Sequence, residues 1–251
     1  MRRFLLLTAA LLLLTACGDT ADPVTTEVDR RAAEFARLNT AVASVAETQA
    51  SADPELADHL EAIRTFDALV EDLRAPDTVA AATDRFAPAA ELLGVVDVDA
   101  LRASDRELAF EVDDARAVLA RARETAAGDW EARYLDAQDD VLTAVREYAE
   151  AADALAQVIG RYWDTYQAVA EETRTFVEQR WFYRTPQEAV DAYELAIDDH
   201  LPRLREARRV IADFTTERDE AAVAVNRATT DAAAVWASRP TDPSPRTTEG
   251  A

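Results

Sequence analysis

The chain has 251 residues, 49 acidic against 27 basic side chains, and a formal net charge of −22. Every basic side chain apart from its two histidines is arginine, so a body this acidic is repelled by nucleic acid and by anionic headgroups, an effect that salt screens beyond about 8 Å. Five glycines, abundant alanine and no β-branched clusters exclude a strand-rich fold and favour helices.

Met1, Arg2 and Arg3 open the chain with positive charge, and Phe4 to Leu14 are apolar but too short to span a bilayer as a mature helix. The run ends at Leu14-Thr15-Ala16-Cys17-Gly18, which holds the only cysteine. This stretch resembles the lipobox of bacterial lipoproteins, and the resemblance covers residues 1–18. It implies a signal peptide over 1–17 that is cleaved ahead of Cys17, with a diacylglyceryl group on the sulfur of Cys17, which becomes the new N-terminus. The implied location is the cell membrane, lipid-anchored on the extracytoplasmic face, with palmitate-type chains as the hold, because one acyl chain alone binds only marginally. Loss of the residues ahead of Cys17 removes two arginines and no acid, which takes the charge from −22 to −24. A lone cysteine forms no disulfide within one chain, so packing must supply the stability.

Residues 18–25 read as a polar tether. Thr26 is a candidate N-cap for a first helix with Val28, Arg31, Phe35, Leu38, Val42 and Val45 on one seam. Asp53-Pro54 reads as the N-cap and first residue of a second helix with Leu56, His59, Ile63, Phe66, Val70 and Leu73, closed at Ala75-Pro76. A short segment from Asp77 to about Leu93 contains Pro88 and stops at Gly94, and Val95 to Asp99 reads as a loop. Ser104 and Glu107 form a capping box for a fourth helix ending at Gly128.

From Asp129 a seam runs without proline through Tyr134, Val145, Leu155, Tyr166 and Phe176 to Tyr183. Thr185-Pro186-Gln187-Glu188 then combines a stop with a new start, and a last helix carries Val190, Tyr193, Ile197, His200, Leu204, Ile211 and Val225 to Val235. Gly160 and Pro202 are the expected bends. The reading is an all-α helical bundle, with shorter packed helices over 26–127, a long antiparallel coiled-coil-like two-helix hairpin over 129–238 of the same domain, and a proline-rich disordered tail over 239–251.

Candidate functional residues are few. His59 and His200 lie on core seams beside acids, and together they suggest a divalent metal site, against which stands the ordinary role of a hydrogen-bonded core histidine. Trp181, Phe182 and Tyr183 are consecutive, and helical residues about 100° apart cannot all face one seam, so at least one is exposed or covered by another segment; the rings either pack under the short third segment as core or present a partner-binding tip. The doublets Asp113-Asp114, Asp139-Asp140, Glu171-Glu172 and Asp198-Asp199 diverge on a helix and lack calcium-loop spacing, which makes them a solvated face. No catalytic motif and no cofactor-binding motif is present, so the chain reads as a non-enzyme without a cofactor. Its architecture is similar in general outline to helical envelope lipoproteins that bind cell-wall components or other proteins. The expected function is an interaction or spacer module of the cell envelope, with an envelope protein or cell-wall partner and no nucleic acid. The alternative is a ligand- or metal-binding lipoprotein with a pocket near His200 and Tyr162, Tyr166 and Tyr193.

Overall fold

The computed structural model describes residues 23–240, with the side chains of residues 23–26 and of Asp53 excepted. It is an all-α bundle of six helices: α1 (Pro23–Leu73), α2 (Val79–Gly94), α3 (Val98–Thr125), α4 (Asp129–Gln179), α5 (Pro186–Ile197) and α6 (Leu201–Ala237). A single 3₁₀ turn, Arg180–Phe182, extends α4. The signal segment and Cys17 lie outside the described residues, as does the tail beyond residue 240.

Contacts between the helices set the order of the bundle. Arg31 reaches Glu131 at 3.4 Å, the Tyr134 hydroxyl donates to Asn39 at 2.5 Å and the Tyr166 hydroxyl to Asp67 at 3.2 Å, so α1 and α4 run the same way. Between them α3 runs back, joined to α1 by Thr48–Glu111 and to α4 by Arg123–Asp136 and Arg146–Asp113. The α5–α6 arm returns beside α4: the Trp130 indole N–H donates to the Val235 carbonyl at 3.0 Å, and Arg203 donates to the Arg161 carbonyl at 3.2 Å. The chain thus makes four passes, the second and fourth each broken once. At 1.5 Å per residue the 51 residues of α1 or of α4 extend about 75 Å.

The core is one continuous stripe. Leu38, Phe66, Leu108, Leu142, Tyr148, Leu155, Tyr166 and Leu204 are buried along it. A buried residue of this size contributes about 1.5–3 kcal/mol by removing apolar surface from water, which stands in for the disulfides the chain lacks.

Four helix boundaries differ from the sequence reading, the first being the start of α1 at Pro23, inside the stretch read as a tether over 18–25 and ahead of the Thr26 expected as its N-cap. No helix starts at Asp53-Pro54, because α1 continues through Pro54. Val45, Ala52, Leu56 and Ile63 are all buried and in phase, so packing along the seam outweighs the one hydrogen bond that proline removes. Helix α3 starts at Val98 rather than at Ser104, because Asp97 is its N-cap: one carboxylate oxygen accepts from Asp99 N at 3.0 Å and Ala100 N at 2.9 Å. The last helix is two, α5 and α6, separated at 198–200. Pro202 has no N–H for the carbonyl of Asp198 and its ring crowds that carbonyl, so the chain turns there instead of only bending. Gly160, the other expected bend, lies inside a continuous α4, where a Cβ would come within 3.0 Å of Val98 Cγ1; its use is the close approach of the α3 start.

Candidate functional site

The end of α4 carries the most exposed aromatic side chains. Trp181 is 78 % exposed and Phe182 is 82 % exposed, whereas Tyr183 turns inward and stacks on Phe176 with ring centroids 5.6 Å apart. Phe176 in turn meets Tyr193 at 4.9 Å, so an aromatic layer from α4 and α5 closes the core directly beneath the turn. Helical angles forbid all three rings on one seam, and the structure resolves which do what: Tyr183 packs while Trp181 and Phe182 face water.

Local chemistry explains why the chain turns here. Glu188 N donates to the Thr185 hydroxyl at 3.1 Å, Pro186 occupies the first turn of α5, and the Glu188 carboxylate accepts from Arg184 N at 2.8 Å. Tyr183 N donates back to the Arg180 carbonyl at 3.3 Å. The Arg180 guanidinium lies 4.4 Å above the Trp181 ring and pairs with Asp84 of α2 at 3.1 Å, which fixes the indole from one side.

The histidines are not brought together as a metal site. His59 is buried, with Nδ1 2.5 Å from the Glu55 carbonyl and Nε2 accepting from Asp97 N at 3.0 Å, so both ring nitrogens are bonded to main chain. That pattern requires the proton on Nδ1. His200 is half-buried at the N-terminus of α6. Among the described residues no three His, Cys, Asp or Glu side chains gather as a metal-holding group.

The tyrosines near His200 pack into the core. Tyr166 and Tyr193 are fully buried, the latter sharing a 2.8 Å hydrogen bond with Thr173, and burial pushes the Tyr193 hydroxyl up to about 12. Burial, then the Asp67 charge, raises Tyr166 further still. Neither phenol acts as a base near neutral pH. Asp67 also accepts from Arg208 Nε at 2.7 Å, and Arg208 pairs with Glu71, which makes a bridge from α6 to α1. Burial raises the Asp67 carboxyl although Arg208 and the Tyr166 hydroxyl oppose it.

A buried acid also escaped the sequence reading, as did the Asp67–Arg208 bridge. Asp105 of α3 is 7 % exposed, and burial followed by the charge of Asp153 on α4 pushes it up to about 7. Asp153 has one buried carboxylate oxygen without a hydrogen-bond partner. The spacing Leu101, Asp105, Leu108, Val112 was the available signal, since it places an acid on an apolar seam. Of the acidic doublets, Asp113, Asp139 and Glu171 pair with Arg146, Arg123 and Arg174, which fits charges on a solvated face.

Comparison with protein-family models, with curated proteins and with solved structures finds no match for this chain.

Proposed function

We propose that the protein is a lipid-anchored lipoprotein on the extracytoplasmic face of the cell membrane, and that it acts as a non-enzymatic interaction or spacer module whose working end is the turn Arg180–Tyr183. One observation carries this reading. The first residues of α1 and the exposed aromatic turn lie at opposite ends of a bundle about 75 Å long, so an anchor at Cys17 leaves Trp181 and Phe182 at the far end. No helix among the described residues is long and apolar enough to cross a membrane, which leaves a lipid on Cys17 as the hold that the sequence offers.

The packing of Tyr162, Tyr166 and Tyr193 supports the module over a ligand pocket, because their rings fill the space a ligand needs. The exposed Trp-Phe pair beside an arginine matches the residue types that dominate interface energetics.

Cell fractionation with labelled palmitate tests the anchor. The expected result is label in the membrane-bound protein and loss of both label and membrane association in Cys17→Ser. Unlabelled protein whose location does not respond to Cys17→Ser overturns it. A photocrosslinker at Thr185 in intact cells tests the working end, which fails if it captures nothing while the protein is folded and abundant.

A further inference from the structure

The turn between α2 and α3 lies against the middle of α4. A Cβ on Gly160 would come within 3.0 Å of Val98 Cγ1, so the glycine lets the start of α3 close onto α4 at that point. Next to this contact a cleft of about 780 Å³ opens between residues 94–102 and the face of α4 that carries Gln157, Arg161 and Asp164. Small-molecule sites occupy about 300–1,000 Å³. Trp163 also lines the cleft, half-buried and packed on Tyr166 with ring centroids 6.3 Å apart. The α2–α3 side is held by bonds of its own: Asp97 N donates to His59 Nε2 at 3.0 Å, and the Asp97 carboxylate caps Asp99 N and Ala100 N. A wall fixed in this way needs little ordering when something enters.

Two arginines line the cleft without a partner. Arg102 Nε is buried and has no hydrogen bond, and among the described residues neither the Arg102 nor the Arg161 side chain makes an ion pair. A buried N–H on a cation is costly to leave unbonded, and the guanidinium edge formed by Nε and Nη is shaped to take both oxygens of one carboxylate. Asp99 and Asp164 stand in the same cleft, each three residues from one of these arginines, and pair with neither. Farther along the same α3–α4 interface the arginines are closed off: Arg123 holds Asp136 and Asp139, and Arg146 holds Asp113 and Glu150. Only at the cleft do charges of both signs share one concavity without being spent on each other in this way.

We infer that this cleft binds an amphoteric ligand, a free amino acid or a short peptide, with its carboxylate at Arg102 and Arg161 and its ammonium group at Asp99 and Asp164. A simple anion meets three carboxylates there, counting Asp97, and a simple cation meets two guanidiniums. A ligand with one charge of each sign satisfies both sets, which selects it over either. Tyr162, Tyr166 and Tyr193 are not part of the lining, so the site is separate from the packed tyrosines, and it does not depend on a lipid at Cys17.

Calorimetric titration of the full chain with alanine, trialanine, N-acetyl-trialanine and trialanine amide tests the inference. Alanine or trialanine is expected to saturate one site below about 10 mM, the weak end of specific recognition. Capping either terminus of trialanine is expected to weaken binding about tenfold, and so is Arg102→Gln, because each removes one charge-assisted contact. Arg161→Gln changes an exposed side chain, so it is expected to weaken binding about tenfold with an unchanged melting temperature. No saturable heat from alanine or trialanine overturns the inference. Equal binding of the free and capped peptides does so too, as does wild-type affinity in the folded Arg161→Gln protein.

Discussion

His59 shows how one side chain can be committed to structure. Its Nδ1–H serves the Glu55 carbonyl and its Nε2 receives Asp97 N–H, so the ring ties the α2–α3 turn to the middle of α1. His59→Ala strands a buried main-chain donor, and the expected loss is about 2–3 kcal/mol in denaturant titration, with zinc leaving the wild-type melting temperature unchanged. A histidine on an apolar seam was visible in the sequence. Its partner 38 residues later was not, because only the fold brings them together. Asp105 makes the complementary case. Its folded pKa of about 7 stands above the unfolded value near 3.9, so stability is full at low pH and falls as pH rises from about 4 through 7. Asp105→Asn is therefore expected to raise the melting temperature at pH 8, with the gain shrinking on acidification and vanishing near pH 4. A gain that persists at pH 4 identifies a packing effect instead of a titration.

Among the elements, the long helices were the most legible and the breaks the least. The seam from Tyr134 to Phe176 forms one helix as its period demands, and Thr185-Pro186 starts another as its cap chemistry demands. Proline was the ambiguous sign. Pro54 sits within α1 and Pro202 lies just after a break, although both follow the same local rule. Burial does not separate the two cases, since Ala52 and Leu56 flank Pro54 and Ile197, Leu201 and Leu204 flank the break before Pro202. Pro54→Ala is expected to stabilise the protein by about 1–3 kcal/mol and to slow amide exchange over residues 50–54. The α3 start was missed because Asp97 lacks the Glu three residues on that marks a capping box, yet its carboxylate caps two amides. Asp97→Ala is expected to cost about 1 kcal/mol by thermal melting, with Ser104→Ala close to neutral.

For the molecule as a whole, the all-α bundle followed from composition and period, while the side-by-side placement of α1 and α4 did not, since nothing local relates Arg31 to Glu131 or Asp67 to Tyr166. Of the candidate site, helical angles alone implied that the rings at 181–183 cannot share one seam, while the exposure of Trp181 and Phe182 in particular did not follow from them. Its position at the end remote from α1's first residues required the fold. The double variant Trp181→Ser, Phe182→Ser is expected to unfold within about 0.5 kcal/mol of wild type with unchanged far-ultraviolet dichroism, because both rings lie outside the core.

Four passes are an even number, so the first residues of α1 and the last of α6 finish at the same end of the bundle, as Arg31–Glu131 and Trp130–Val235 show on either side of α4. A tag spliced between Arg239 and Pro240 consequently sits at the same end as the first residues of α1, and if the proposed anchor on Cys17 holds that end at a membrane, an antibody on intact spheroplasts should reach a tag between Arg184 and Thr185 far more readily.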